Sequence, residues 1–198
     1  MNLRNDLKVD LIDTMGDWTD VVKSARYSTT MNLKDRDKDL KLLRRLWRDQ
    51  HLSPFEMVET VWHFEAPIFV NRHMVRHRTW SWNEFSQRYS ESKLEFYVPS
   101  GLSVDALGCM ESALFDASES YQELIDYGVS KETARMVLPL STYTYFRGKV
   151  NFRNLIAFLK LRTAEDVQPE TRHIALQMVD LLRERLPELM EVCWDEGK

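Results

Sequence analysis

A chain of 198 residues with a formal net charge of -4 is long enough to bury one core, and it lacks the global positive field that a nucleic-acid surface needs. Its two cysteines, Cys109 and Cys193, stand far apart and outside any CxxC spacing, which argues against a disulfide framework and a zinc site and leaves two reduced thiols as the expectation. The N-terminus MNLRNDLKVD has no apolar signal core and no run approaches the length of a membrane span, so a soluble, cytoplasmic protein without a membrane or nucleic-acid partner is expected.

In chain order, Leu7 to Ile12 alternates as a strand and is stopped by Gly16. Thr19 to Tyr27 reads as a short helix. Lys34 to Gln50 reads as an amphipathic one, with Leu40, Leu43 and Leu46 on one side and Asp35 or Asp37 as its cap. Ser53-Pro54 predicts a new helical start, with Ser53 capping and Pro54 in the first position. Val58, Thr60, Trp62 and Phe64 alternate as a strand, and Pro67 is expected to open a helix reaching about Arg76. Glu95 to Val98 predicts a short strand, Ala106 to Tyr127 a long helix closed by Gly128, and Lys131 to Val137 another helix. Ser141 to Val150 reads as a strand. Asn151 to Arg162 and Glu170 to Arg185 read as helices, with Pro187 setting off a last short one. The strands do not follow βαβ alternation, so the fold class is α+β: a mixed single domain over residues 1–198 with a small antiparallel sheet and several helices.

The chemistry concentrates between Arg72 and Arg88, where four arginines meet one glutamate. The six glycines form neither GxGxxG nor a P-loop, so a phosphate would have to be held by side chains, chiefly by the planar forks of arginine. A small phosphorylated ligand explains the cluster; so does a solvated helix end, where the dipole favours cations. His73 and His77 could share a helix face, but no third ligand stands at useful spacing and no metal is expected. His63 reads as structural and His173 as exposed. Arg162 shares a helix face with Leu159, Phe158, Leu155 and, three turns back, Asn151. A guanidinium at the end of an apolar stripe needs a partner, either a ligand or an internal carboxylate.

Arg76-His77-Arg78, seven residues and then Ser86 match the RHRx7S signature of the flavin-dependent thymidylate synthases. Further segments resemble the same family: His51-x-Ser-Pro-Phe-Glu56, Ala66-Pro-Ile-Phe-Val70, Asn83-Glu-x-Ser-x-Arg-Tyr-Ser90, Ala134-Arg-x-Val-Leu-Pro-Leu140, Val150-Asn-x-Arg153 and Phe158-Leu-x-Leu-Arg162. The resemblance implies a homotetramer with active sites at subunit interfaces. It implies a flavin-dependent methyltransferase that converts dUMP to dTMP with FAD, methylenetetrahydrofolate and NADPH. Carried over by position, Ser28, Ser53, Arg76, His77, Arg78, Glu84, Asn151 and Arg153 would contact FAD. His73, Arg76, Glu84, Ser86, Gln87, Arg88 and Arg135 would hold the nucleotide, with Arg88 on its phosphate. Arg162 would be the catalytic residue, on the uracil, stabilising its ionised N3.

Departures from the family pattern cluster in the pocket. His73 stands where glutamine is usual, Gln87 where glycine is usual, Ala157 in place of an asparagine and Met57 in place of a histidine. Val167-Gln-Pro-Glu-Thr171 replaces an A-Q-x-E-I pattern. Two alternatives stay open: a methylase of the same fold acting on UMP, motivated by His73 and Gln87, and a non-catalytic flavin- or nucleotide-binding homologue, motivated by Ala157.

Overall fold

The structure, a computed structural model, describes residues 1–27, 29 and 32–195. Its strands and helices are, in order, β1 (Asn2–Arg4), β2 (Lys8–Met15), α1 (Trp18–Arg26), α2 (Arg36–Arg48), β3 (Glu59–Pro67), α3 (Ile68–Met74), β4 (Ser81–Glu84) and β5 (Glu95–Tyr97). They continue with α4 (Val104–Asp126), α5 (Lys131–Ala134), β6 (Tyr143–Asn151), α6 (Phe152–Arg162), α7 (Pro169–Arg185) and α8 (Pro187–Met190). A four-stranded sheet has the order β2-β3-β6-β4, and β1 pairs separately with β5. The class is α+β as expected. The second pair is parallel, with Leu3 opposite Phe96, and was not foreseen beside the small antiparallel sheet that was expected.

The chain divides into two compact units. One comprises Met1–Lys8, Glu65–Met74 and Asn83–Phe146; the other comprises Val9–Phe64, Val75–Trp82 and Arg147–Lys198. In the second unit, Asp17 caps α1 in a reciprocal capping box with Asp20, and Asp35 caps α2 by accepting from the Lys38 amide at 3.0 Å. Buried Arg26 is neutralised by Asp39, itself only 1% exposed. Thr60 donates to the Val150 carbonyl and accepts from Trp62 Nε1, satisfying polar groups between β3 and β6. Phe152, Leu155, Ile156, Phe158 and Leu159 give α6 its buried side.

In the first unit, Arg4 forms ion pairs with Asp6, Glu65 and Glu95, and its guanidinium lies 4.3 Å from the Tyr143 ring centre. Tyr143 donates to the Asp6 carbonyl and Tyr145 to Glu95. Ser103 caps α4, and Gly128 takes φ +78 after its end, a conformation that L side chains rarely adopt.

Several boundaries differ from the sequence reading, each for a local reason. Pro67 ends β3 instead of opening a helix, and α3 stops at Met74. Ser53 does not cap: the cap position of the 3-10 turn Ser53–Met57 falls on Leu52, whose backbone is already helical. The segment after Ala134 tightens into a 3-10 turn, Arg135–Val137, so Lys131 to Val137 is not one α-helix. Part of the arginine-rich stretch, Ser81–Glu84, is a strand.

Candidate active site

In the second unit the site is built on aromatic packing. Arg76-His77-Arg78 forms the turn ahead of β4, with both arginines exposed and His77 half-buried. Trp80 and Trp82 stack with ring centres 4.7 Å apart and planes within 3°. They lie over Gly148 of β6, where an added Cβ would sit 2.5 Å from Trp82 and 2.8 Å from Trp80. Only a residue without a Cβ lets both indoles approach that backbone. Phe158, 1% exposed, meets Trp80 at 5.1 Å and the His77 ring edge-on at 4.7 Å. Trp80 Nε1 is buried and has no hydrogen-bond partner.

Arg162 ends α6, half-buried, and its Nε donates to His77 Nε2 at 2.9 Å. Burial pulls its pKa below the usual guanidinium range, the mark of a charge withdrawn from water. The periodicity placed Arg162 at the end of an apolar stripe, but a partner 85 residues away was beyond its reach. Asn151 caps α6 through a side-chain oxygen that accepts from the Asn154 amide at 3.0 Å. Arg153, exposed, pairs with Glu56 of the Ser-Pro-Phe-Glu segment. Ser53 is exposed at the start of that segment, and Ser28 lies outside the described residues.

In the first unit the assigned residues gather on and around the loop after β4. Glu84 is exposed at its end and accepts from Thr144 at 2.8 Å. Ser86 organises the loop: its hydroxyl accepts from the Arg88 amide and its carbonyl from the amides of Tyr89 and Ser90. Gln87 is buried, at 9% exposure, so a side chain longer than the family's glycine is folded inward here. Arg88 is exposed; its Nε donates to Glu132 at 2.8 Å and its guanidinium sits 5.5 Å from the Tyr89 ring centre. Sequence reasoning missed Glu132, since nothing in spacing links it to Arg88. Arg135 is exposed one turn beyond Glu132, and half-buried His73 lies in the last turn of α3.

A cavity of about 530 Å³ in the second unit, among Lys160, Arg172, Arg183 and Trp194, takes none of the assigned residues as lining. Among the described residues no group of three or more His, Cys, Asp or Glu could hold a metal, and no helix is long and apolar enough to cross a membrane.

The family model described as "Thymidylate synthase complementing protein" matches residues 10–188. The chain belongs to the flavin-dependent thymidylate synthase family. The family's enzyme from Thermotoga neapolitana is 41% identical over 187 residues, covering 90% of this chain and 87% of its own. One from Thermus thermophilus is 41% identical over 195 residues, covering 90% and 72%. Among solved structures, a UMP/dUMP methylase, PolB from Streptomyces cacaoi bound with 5-Br dUMP, superposes with a TM-score of 0.90 at 36% identity, covering 97% of this chain and 96% of that one. With 5-Br UMP bound, the same methylase gives 0.87 at 36% identity. Within the family's RHRx7S segment, this chain contributes a turn and a strand to one unit and a strand end and a loop to the other.

Proposed function

We propose that this protein methylates C5 of dUMP to give dTMP, with FAD as cofactor, methylenetetrahydrofolate as carbon donor and NADPH as reductant. The observation that carries the reading is Arg162. It is a half-buried cation, drawn out of water and held against the RHR segment by His77. Uracil C5 is a weak nucleophile, and negative charge spread from N3 enriches it. A partly desolvated guanidinium favours that anion more than a solvated one does, because charge interactions strengthen away from water.

The second unit has the donors and apolar faces that a flavin requires. Arg76, Arg78 and Arg153 offer cations to its pyrophosphate, Asn151 and Ser53 offer polar contacts, and Trp80 Nε1 is a buried donor without a partner. When bound, the flavin supplies the redox chemistry and the handling of the carbon unit. In the first unit, Arg88 and Arg135 suit the nucleotide phosphate, with Ser86, Glu84, Gln87 and His73 around the sugar and base. Assembly as a homotetramer acting in the cytoplasm completes the proposal. It is supported by α4, 23 residues of which only Leu114, Ser118 and Tyr121 are buried, with Phe115 52% exposed. A helix about 34 Å long with so narrow a covered side suits an interface between copies.

One observation favours a second reading. Gln87, in place of glycine, is folded into the first unit, and the structurally similar PolB is a UMP/dUMP methylase, so acceptance of UMP is the alternative. Turnover assays with dUMP or UMP, each with methylenetetrahydrofolate and NADPH, separate the two. We expect dUMP to be preferred; a clear preference for UMP would overturn the main reading. A yellow protein whose reduced flavin is not reoxidised by folate and nucleotide together would overturn both in favour of a binding homologue.

A further inference from the structure

We propose that His77 is the positioning residue for Arg162, acting through a neutral imidazole whose Nε2 accepts the Arg162 Nε–H. The proposal rests on the reading that Arg162 faces the nucleotide base.

A guanidinium has donors and no acceptor, so the 2.9 Å contact between Arg162 Nε and His77 Nε2 has one polarity only. His77 must present a lone pair at Nε2. Its ring is therefore uncharged and carries its proton on Nδ1. The contact fixes the guanidinium at Nε and so restricts the plane in which its other nitrogens lie.

The imidazole is itself held in orientation. Phe158, almost wholly buried one turn before Arg162, meets the ring edge-on at 4.7 Å and an interplanar angle of 76°. Phe158 is backed by Trp80, Trp80 by Trp82, and the indole pair by the bare backbone of Gly148. Trp82 Nε1 also reaches the His77 carbonyl at 3.5 Å. Orientation thus passes from a packed aromatic wall to an imidazole, and from the imidazole to the guanidinium.

Protonating His77 would remove the acceptor and set a second cation against Arg162. From α6 the imidazole meets Arg162 and the uncharged Phe158, and its own turn carries Arg76 and Arg78 on either side of it in sequence. Against Arg162, protonation turns an attractive contact into a repulsive one and loosens the guanidinium.

The test has two arms. Nitrogen-15 NMR of histidine-labelled protein, without substrate, reads the tautomer: a proton on Nδ1 of His77 is expected at neutral pH, and a proton on Nε2 would overturn the proposal. In turnover, kcat of the wild-type protein should fall on the acid side as the imidazole takes up a proton. In His77→Gln, whose side-chain oxygen accepts at any pH, that acid limb should flatten. In His77→Leu kcat should fall about tenfold or more at every pH with a smaller change in KM, the loss expected when an orienting hydrogen bond is removed. Flavin absorbance of each variant separates this loss from loss of cofactor. A wild-type acid limb in His77→Gln, with Arg162→Ala inactive, overturns the positioning role alone; wild-type turnover in Arg162→Ala overturns the reading beneath it.

Discussion

The two units secure their assigned residues by different physics. In the second, His77 packs edge-on against a wall of stacked rings and accepts from Arg162, and the wall lies over a glycine that only close backbone approach explains. In the first, Arg88 and its loop are held by hydrogen bonds and by an exposed pair to Glu132, with Arg88 51% and Glu132 49% exposed. Packing of the first kind changes little with salt and fails through lost volume. Pairs of the second kind are screened and exchange readily for another anion. The proposed roles match: a rigid frame for chemistry that depends on orientation, and a yielding clamp for a phosphate that must enter and leave.

The largest effect should come from the frame. Replacing Arg162 with alanine should leave flavin bound and lower kcat by about 10²–10³-fold, the usual cost of removing a preorganised charge-stabilising donor. Stopped-flow turnover beside the visible spectrum of the purified variant measures both, and retained turnover would break the comparison. Next, Phe158→Ala should destabilise the second unit by about 3–5 kcal/mol, because it empties the space behind both His77 and Trp80. Denaturant unfolding followed by tryptophan fluorescence checks this; a loss below about 1 kcal/mol would show that the rings are not packed as described.

The clamp should yield smaller numbers. Arg88→Ala should raise KM for the nucleotide about tenfold to a hundredfold, as for loss of a charged hydrogen bond, while stability changes by less than about 1 kcal/mol. In contrast to Phe158→Ala, the effect should shrink as salt is added. Initial rates at low and high ionic strength decide this.

Acid provides the last and smallest separation. Arg4 holds the Asp6 carboxyl below its ordinary range. Glu95 is also held low: burial pushes it up, but the Tyr145 hydroxyl, Arg4 and Lys93 outweigh that. Carboxylates with depressed folded-state pKa values add stability above their unfolded values and lose it as pH falls through the folded ones. The first unit should therefore soften below about pH 4, where such groups take up protons. Amide exchange at Leu3 and Phe96, compared with that at Leu155 and Leu159, follows the two units separately; equal softening in both would erase the distinction.

The elements legible in the sequence were those with local causes. The 3.6-residue stripe of α6 that carries Arg162 was readable, as were Asp35 before α2 and Gly128 after α4, whereas Asn151, read as part of that stripe, caps the helix instead. What escaped depends on distant partners or on backbone angles. β1 has three residues and exists because it pairs with β5 about ninety positions later. β4 is polar along most of its length and carries no alternation to announce a strand. Ser53 has the composition of a cap, but the helical backbone at Leu52 moves the cap position away. The residues of the proposed site could be named from the family resemblance. Two of their contacts, Arg162 with His77 and Arg88 with Glu132, join residues 85 and 44 positions apart and come only from the folded chain.

The coplanar indoles of Trp80 and Trp82 also give the protein an internal optical gauge. Chromophores stacked at 4.7 Å with planes 3° apart couple their excited states, so indole absorption and emission depend on their contact. Gly148→Ala would push both rings off that backbone and shift the indole signal, so the order of this wall can be followed by light alone before any substrate is added.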